Sequence, residues 1–315
     1  MKKKIFLSVV SLVCLLLLIG CSEVSSDESN EKVVRIGYQK NGPLIILKSL
    51  GTLEERLEEI GYKVEWHEFQ AGPALVEALN AESIDFGRAG NTPPIFAQAA
   101  SAPFVYAAVG NSKYEGSGIL VSQDSDIQTV ADLKGKTVSF AKGSSSHYLI
   151  VKALQEAGLK YEDITPAFLS PGDARIAFEQ GNVDAMVVWD PFTASTEINS
   201  NGRMLLNGEG LTTDRDFFIA TNHFAEEHQD IMDIIIEEIA ASSEWANKNH
   251  DDLVKMLAPI LNLDEESIRM SVERRIYGIG EITEEIIAEQ QDIADLFYEL
   301  AIIPKEIDVS EVMMK

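Results

Sequence analysis

A regular alternation of strand and helix patterns, which begins at Val33, sets the narrowest limit on the fold of this chain. Short runs of apolar or alternating residues, typical of strands, are followed by segments whose apolar residues recur at helical spacing. The predicted strands are 33–38, 63–69, 84–87, 104–110, 137–140, 164–169 and 183–189. The predicted helices between them are 44–60, 74–81, 93–100, 130–133, 147–157 and 173–179. This order is typical of an α/β protein in which helices cover both faces of a mostly parallel sheet.

The alternation occurs in two sets that resemble each other. Residues 78–85 and 177–184 each read as a helix end, a turn, and a strand that starts with an apolar residue and Asp. A segment at 118–122 crosses from the first set to the second, and a strand at 217–221 returns. Two such crossovers permit hinge closure of two lobes around a ligand.

The C-terminal part is predicted to be helical and to pack on the first set. The three predicted helices there are 231–246, 252–261 and 284–300. The sequence therefore predicts a discontinuous lobe I, residues 33–118 with 217–315, and a lobe II, residues 119–216.

The first residues are typical of an export signal. Three lysines precede the apolar run 5–19, which is shorter than the roughly 20 residues that a membrane-spanning helix needs. The run ends in Gly20-Cys21, which resembles the lipobox of bacterial lipoproteins. The resemblance implies removal of residues 1–20 and a lipid thioether on Cys21; the alternative is an anchor helix with a chance cysteine. Residues 21–32 are polar and acidic, so we expect a disordered tether.

The net charge excludes one class of partner. The chain carries −25, and removal of the three signal lysines would make it −28. Such acidity argues against nucleic-acid binding, which needs basic patches, and against attraction to anionic lipid heads. The predicted membrane link is therefore the lipid alone, and with Cys21 as its single cysteine the mature chain forms no internal disulfide.

Glycine-rich and proline-rich turns follow several predicted strands and open helices. In open α/β sheets ligands bind beyond the carboxyl ends of strands. Helix N-termini there present unpaired N–H groups and partial positive charge, which together suit an anion. The hydroxyls of Thr92, Ser144 and Ser145 either cap their helices or donate to a ligand oxygen.

These turns carry a resemblance to a known family, the aliphatic-sulfonate-binding proteins of ABC importers. The matching segments are GYQK at 37–40, SIDFG at 83–87, GNTPPIFAQAA at 90–100, AKGSSSHYL at 141–149, GLKYEDI at 158–164, SPGDARIAFEQGNVDA at 170–185 and VVWDPF at 187–192. The resemblance implies a two-lobed periplasmic-binding-protein fold of type II, with mixed, mostly parallel sheets joined by two crossover strands. It also implies an alkanesulfonate ligand, permease and ATPase partners and a monomer, without a cofactor or metal. The implied ligand contacts are Gln39, Thr92, Gly143, Ser144, Ser145, His147, Asp173 and Trp189, with Ser117 as a weaker one. Arg88 departs from the pattern, where a smaller or uncharged residue is expected.

Several of these residues have a second interpretation. Trp189 either covers the ligand tail, with Tyr38 and Phe192 as neighbours, or is a core aromatic. His147 either donates to the anion or faces the helix surface. Asp173 is expected to cap its helix rather than to touch ligand.

Positive potential has two further candidate sources. Arg88 and Arg175 either supply it to the ligand or have surface roles. Asp190 is expected to serve as a hinge or cap residue.

Other functions stay open at this point. An enzyme is disfavoured, because no Gly-x-Ser-x-Gly or HExxH pattern occurs and the five histidines are scattered. A structural lipoprotein would not need glycine-rich turns facing one cleft. Among binding proteins, the alternative ligands are taurine, nitrate and a pyrimidine precursor of thiamine.

Overall fold

A computed structural model describes residues 32–314. The predicted export signal, Cys21 and the tether up to residue 31 lie outside the described residues. Lys32, which was assigned to the tether, begins the first strand.

Two separate sheets organise the described part of the chain. The strands are β1 Lys32–Tyr38, β2 Tyr62–Glu68, β3 Phe86–Gly90, β4 Phe104–Gly110, β5 Ser117–Ser122, β6 Thr137–Phe140, β7 Thr165–Phe168, β8 Ala185–Trp189, β9 Gly202–Asn207, β10 Asp216–Thr221 and β11 Ile279–Gly280. Within residues 32–314, the first sheet has six strands in the order β11-β4-β10-β3-β1-β2. The second sheet, in the same range, has five in the order β7-β6-β8-β5-β9.

Both sheets are mixed. In the first sheet β1 pairs parallel with β3, whereas β10 pairs antiparallel with β3 and β4. In the second sheet β6 pairs parallel with β7 and β8, whereas β5 pairs antiparallel with β8 and β9. The expected α/β fold with mixed sheets is confirmed, and the antiparallel pairs involve mainly β5 and β10.

Helices cover the sheets. They are α1 Pro43–Leu50, α2 Thr52–Glu58, α3 Gly72–Asn80, α4 Pro93–Ala99, α5 Ser145–Glu156, α6 Pro171–Glu179, α7 Phe192–Asn199, α8 Asn222–Glu227, α9 Gln229–Lys248, α10 His250–Leu261, α11 Glu265–Glu273 and α12 Glu284–Glu299. The single helix predicted over 44–60 is divided at Gly51, whose φ of 75° lies in the left-handed region that glycine adopts without strain. Strands β9 and β11 and helices α8 and α11 were not predicted.

Two short segments connect the sheets. Residues 111–116 link β4 of the first sheet to β5 of the second. Residues 208–215 link β9 of the second sheet back to β10 of the first. Each predicted crossover strand therefore follows one of these crossings.

Buried apolar side chains hold each sheet against its helices. In the first sheet Phe86 and Phe218 are fully buried, with stacked rings whose centroids are 6.3 Å apart. In the second sheet Phe140 and Val187 are fully buried in one cluster. Complete burial of an apolar side chain of this size stabilises the fold by about 1.5–3 kcal/mol. The strand ends that carry polar residues thus project from rigid supports.

Candidate anion-binding site

A pocket lies where strand ends from both sheets meet. Gln39 directly follows β1 and Gly90 ends β3 in the first sheet, while Trp189 ends β8 in the second. We call this space the cleft pocket. Its lining residues are Gln39, Asn41, Gly72, Arg88, Gly90, Pro93, Lys113, Ser144, Ser145 and Trp189. This is the expected ligand position for open α/β sheets.

Helix α5 points its N-terminus at the cleft pocket. Ser144, the residue before the helix, has extended backbone angles (φ −96°, ψ 172°) and does not cap the helix with its side chain. Its hydroxyl donates instead to the carbonyl of Ala141, at 2.7 Å. Because Ser144 and Ser145 line the pocket, the positive end of the α5 dipole lies there.

Thr92 also does not cap its helix. Its buried hydroxyl donates to the side-chain oxygen of Asn91, at 3.1 Å. Thr92 itself is not among the residues that line the cleft pocket, although the next residue, Pro93, is.

The two sheets approach each other closely beside the pocket. A Cβ atom built on Gly90 would lie 2.1 Å from Oγ of Ser145. That distance is too short for any such pair of atoms, whereas Cβ of Ser145 would lie at an ordinary 3.5 Å, so a side chain at position 90 would have to displace the Ser145 hydroxyl.

Arg88 supplies a guanidinium to the cleft pocket from the middle of β3. The side chain is 2% exposed. Nη1 donates to Oδ1 of Asn41 at 2.8 Å and to Oε1 of Gln39 at 3.4 Å, and Nη2 pairs with Asp216. Nε has no hydrogen-bond partner among residues 32–314. The residue that departs from the family pattern is therefore central to the pocket's electrostatics.

Three cationic side chains surround Asp216 behind the pocket. The Asp216 cluster, as we call it, consists of Arg88, Lys113, Asp214, Asp216 and Arg275. Besides Arg88, Lys113 Nζ lies 3.6 Å from Oδ1 of Asp216, and Arg275 Nη2 donates to Oδ2 at 2.9 Å. Lys113 Nζ also lies 2.6 Å from Oδ2 of Asp214. Burial alone raises the pKa of Asp216, but the three cations outweigh burial and hold that pKa well below its usual range. By formal count, three cationic side chains face the two carboxyl side chains of Asp214 and Asp216, which gives the cluster one excess positive charge.

Ser117 belongs to the wall behind the pocket. Its buried hydroxyl donates to the Asp214 carboxylate. The residue lines a small adjoining space together with Lys113 and Trp189. Ser117 therefore orients Asp214, and its proton is already engaged.

Trp189 closes the pocket from the second sheet. It is 9% exposed, pairs with Ser117 across β8 and β5, and lines the cleft pocket and two adjoining spaces. Phe192 lines one of those spaces, whereas Tyr38 hydrogen-bonds Glu68 and lines none of the three. Trp189 is therefore a largely buried aromatic residue that also lines the cleft pocket.

His147 supports the Gly-Ser turn from behind. The ring is 1% exposed and stacks on Phe140 with centroids 5.0 Å apart. Nδ1 accepts from the backbone N–H of Gly143 at 3.2 Å, and Nε2 lies 3.1 Å from the hydroxyl of Tyr161. Burial, aided by nearby Lys142, lowers the pKa of His147 to about 4, so the ring is neutral near pH 7. It is not among the residues that line the cleft pocket.

Two other predicted site residues also lie away from the lining. Asp173 is exposed, and Ser170 caps the helix in its place: the Ser170 hydroxyl oxygen accepts from the backbone N–H of Asp173 at 3.3 Å, and the same hydroxyl donates to the Asp173 carboxylate at 2.7 Å. Gly143 has φ 72° and lines a neighbouring groove. Arg175 donates to Ser195 at 3.3 Å and lines no part of the cleft pocket.

A larger cavity, about 740 Å³, lies between α5 and α12. Its lining includes Glu289, Asp292, Asp295 and Glu299, with Lys152 as a cation. Four carboxylates against one ammonium disfavour an anionic ligand. The smaller cleft pocket is therefore the candidate site.

Sequence comparisons place the chain among known transport proteins. A profile described as "ABC transporter, phosphonate, periplasmic substrate-binding protein" matches residues 48–204. An aliphatic sulfonates-binding protein of Escherichia coli (strain K12) is 41% identical over 90% of this chain and 89% of its own length. This chain belongs to the family of aliphatic-sulfonate-binding proteins. The resemblance inferred from its motifs is confirmed.

Two further members of the family agree. An aliphatic sulfonates-binding protein of Bacillus subtilis (strain 168) is 35% identical over 99% of this chain and 94% of its own length. The solved alkanesulfonate-binding protein of Xanthomonas axonopodis pv. citri, bound to MOPS, superposes with a TM-score of 0.87 at 37% identity. That match covers 90% of this chain and 98% of the solved chain, so the two-sheet architecture is that of the family.

The family pattern did not reveal the residues that charge the site. The charged residues Lys113, Asp214, Asp216 and Arg275 were missed, as was the neutral Asn41, whose side-chain oxygen accepts from Arg88. The sequence feature that could have identified them is a charged residue beside a buried strand. Asp216 immediately precedes the apolar run of β10, and Lys113 lies in the short segment that follows β4. Ionised residues in such places need a buried partner.

The part of the chain that the structure describes contains neither a membrane span nor a metal site. None of the helices within 32–314 has the length and apolar character required to cross a membrane. Within that range, no group of three or more His, Cys, Asp or Glu residues is arranged to hold a metal ion.

Proposed function

We propose that this protein is an extracytoplasmic solute-binding lipoprotein that captures aliphatic sulfonates and delivers them to an ABC importer for sulfur uptake. The observation that carries the proposal is the excess positive charge buried around Arg88 and Lys113, opposite the N-terminus of α5. A monoanion placed between them would neutralise that excess. The names of the family's members support the same ligand class.

The chemistry of the pocket favours a sulfonate over the alternative ligands. A sulfonate stays ionised, offers three acceptor oxygens and has no proton to donate. Taurine's ammonium would need a free carboxylate, but Asp214 and Asp216 are already paired with cations. A pyrimidine would need acidic and aromatic partners in place of guanidinium and helix N-terminus. A phosphonate, the ligand class of the matching profile, takes on a second negative charge for which the single excess cation provides no partner.

We assign the ligand contacts by position in the pocket. Gln39, Ser144, Ser145 and Trp189 are direct contacts in this proposal, and Arg88 is added to them. The predicted residues Thr92, Gly143 and His147 shape the turns that carry these contacts. Ser117 acts through Asp214, and the Asp173 carboxylate accepts from Ser170, the residue that caps the helix.

The lobes follow from the two sheets. We propose lobe I as residues 33–118 with 217–315 and lobe II as residues 119–216, with segments 111–116 and 208–215 as the hinge. The close contact of Gly90 with Ser145 supports a closed arrangement in which the two lobes meet at the cleft pocket.

The cellular setting rests on the N-terminal sequence. We propose that residues 1–20 are removed and that Cys21 carries the lipid that anchors the protein on the outer face of the cell membrane. Its partners are then the permease and ATPase subunits of the importer, and the protein acts as a monomer without enzymatic activity.

Calorimetric titration tests the proposed ligand class. The purified protein is titrated with ethanesulfonate, taurine, nitrate and methylphosphonate at one ionic strength. We expect ethanesulfonate to bind at least tenfold more tightly than the other three. Tighter binding of methylphosphonate or nitrate, or no binding of ethanesulfonate, would refute the proposal. Release of product from an ester substrate would restore the enzyme alternative.

A further inference from the structure

The cavity between α5 and α12 is separate from the cleft pocket. Its volume is about 740 Å³, which is the size of a pocket for a small organic molecule. Besides the two helices, part of the segment 208–215 lines it. Within residues 32–314 this cavity and the cleft pocket share no lining residue. We call it the acidic cavity.

Four carboxylates line the acidic cavity from one face of α12. They are Glu289, Asp292, Asp295 and Glu299. Successive members are three or four residues apart, a spacing that places side chains on the same face of a helix. The first of them is already neutralised, because Arg215 Nε donates to Glu289 Oε2 at 3.0 Å.

The other three carboxylates give the cavity an excess of negative charge. Within the described residues, Asp292, Asp295 and Glu299 form no ion pair. Lys152 on α5 is the cation that lines the cavity with them. By formal count three negative charges face one positive charge, so two negative charges are left without a counter-charge.

A ligand with two separate positive charges matches this arrangement better than a metal ion. Within residues 32–314, no group of three or more His, Cys, Asp or Glu residues is arranged to hold a metal ion. Asp292 and Glu299 are seven residues apart in α12, which is about 10 Å along the helix axis. Two ammonium groups joined by a few carbon atoms can therefore each meet a carboxylate.

Tyr148 supplies an independent observation that points to a ligand. Its side chain is 7% exposed and lines the acidic cavity. Within residues 32–314 its hydroxyl forms no hydrogen bond. Burial, aided by the carboxylates of Asp292 and Glu289, raises the pKa of Tyr148 to about 12, so the hydroxyl stays protonated and lies near both carboxylates. A buried hydroxyl without a partner is rare in proteins, and this one is placed to accept a hydrogen bond from an ammonium group.

Aromatic rings complete a site of this kind. Tyr114, in the segment 111–116, lines the acidic cavity together with Tyr148. The Tyr148 ring is held in place by edge-on packing against Phe297, with centroids 6.0 Å apart. Ammonium groups are attracted to aromatic faces and form strong hydrogen bonds with carboxylates.

We propose that the acidic cavity binds an organic dication, a small diamine, with one ammonium group at Tyr148 and Asp292 and the other towards Glu299. This site is additional to the proposed anion site, and the inference does not depend on sulfonate binding.

Calorimetric titration of the purified protein with diaminobutane and butylamine, at one low ionic strength, tests the proposal. Diaminobutane should bind one molecule per chain and at least tenfold more tightly than butylamine, because it alone carries two charges. Asp292→Asn should weaken diaminobutane binding at least fivefold, since it removes one of the two excess charges. Tyr148→Phe should weaken it about threefold or more and leave the melting temperature unchanged, because the hydroxyl has no protein partner to lose. Asp233→Asn, at an exposed carboxylate of α9 that lines no part of the cavity, is the matched control and should change nothing.

The outcomes separate this inference from the proposed function. No binding of diaminobutane, equal affinity for diaminobutane and butylamine, or equal losses in Asp292→Asn and Asp233→Asn would overturn the acidic cavity as a site. Full diaminobutane affinity in Tyr148→Phe would overturn it as well. Ethanesulfonate should bind Asp292→Asn within twofold of its affinity for the unmodified protein. If diaminobutane binds as expected and ethanesulfonate does not bind the unmodified protein, the dication site stands and the proposed function is wrong.

Discussion

Replacing Arg88 with methionine separates the fold-stabilising part of the Asp216 cluster from its ligand-binding part. The substitution keeps much of the side-chain volume but removes a cation that is 2% exposed and paired with the fully buried Asp216. Removing one partner of a buried ion pair costs about 3–5 kcal/mol, because the other charge stays buried. Lys113 and Arg275 remain beside Asp216, so we expect the low end of that range, about 3 kcal/mol.

Thermal unfolding followed by circular dichroism measures this cost. At about 2–4 °C per kcal/mol, the melting temperature of Arg88→Met should fall by about 6–12 °C. Ethanesulfonate binding should be lost in calorimetric titration. Arg269→Met is the matched control, because Arg269 is 41% exposed and its partner Asp251 is 76% exposed. A surface pair of this kind contributes about 0–1 kcal/mol, so melting and binding should scarcely change.

A second substitution, Asp216→Asn, in the Arg88→Met background completes the test. It removes the carboxylate that pairs with the buried guanidinium of Arg275, so the melting temperature should fall further and should not recover. Ethanesulfonate affinity should stay low, because the guanidinium donors of Arg88 are still absent. A melting temperature of Arg88→Met within 1 °C of the unmodified protein, or full ethanesulfonate affinity in the double variant, would refute this reasoning.

Three further predictions concern groups around the cleft. The pKa of His147, about 4, lies below that of an unfolded histidine, so the free energy of unfolding should decrease by up to ~3 kcal/mol as the pH falls from about 6.5 to 4. Urea unfolding of His147→Gln should show a smaller decrease over the same range. The same pH dependence in the variant and the unmodified protein would contradict this prediction. Burial raises the pKa of Asp190 to about 6, so the free energy of unfolding should decrease as the pH rises from about 4 through 6. In urea unfolding at pH 8, Asp190→Asn should therefore be more stable than the unmodified protein by ~2 kcal/mol. If the free energy of unfolding changes equally with pH in the two proteins, this assignment is wrong. Gly90→Ala places a Cβ 2.1 Å from Oγ of Ser145, so the hydroxyl of this proposed contact must turn away and ethanesulfonate binding should weaken at least tenfold; unchanged affinity in Gly90→Ala would show that the Ser145 hydroxyl does not contact the ligand.

Most helices and strands and several residues of the cleft pocket were predictable, because they depend on the order of apolar and turn residues within a short stretch of sequence. The strands at 104–110 and 137–140 match the structure at both ends, since each is an apolar run bounded by turn residues. Gln39 and Trp189 reach the cleft pocket because each lies at the end of a strand, and parallel strand ends share one edge of a sheet.

The charged part of the site depends on contacts between distant parts of the chain. Arg88 and Asp216 are 128 residues apart in sequence, and pattern within a window of a dozen residues carries no information on their pairing. Position within the first helical turn was also insufficient for His147. Each residue of an α-helix turns by about 100°, so His147 lies on a different face from Ser145 and packs on Phe140 instead.

A crystal structure of the protein with bound ethanesulfonate tests the central claim most directly. The account predicts that the sulfonate oxygens lie within hydrogen-bonding distance of the Arg88 guanidinium and the first backbone N–H groups of α5, with Trp189 against the ligand. A sulfonate bound elsewhere, or in the cleft pocket with its oxygens turned away from Arg88 and α5, would contradict it.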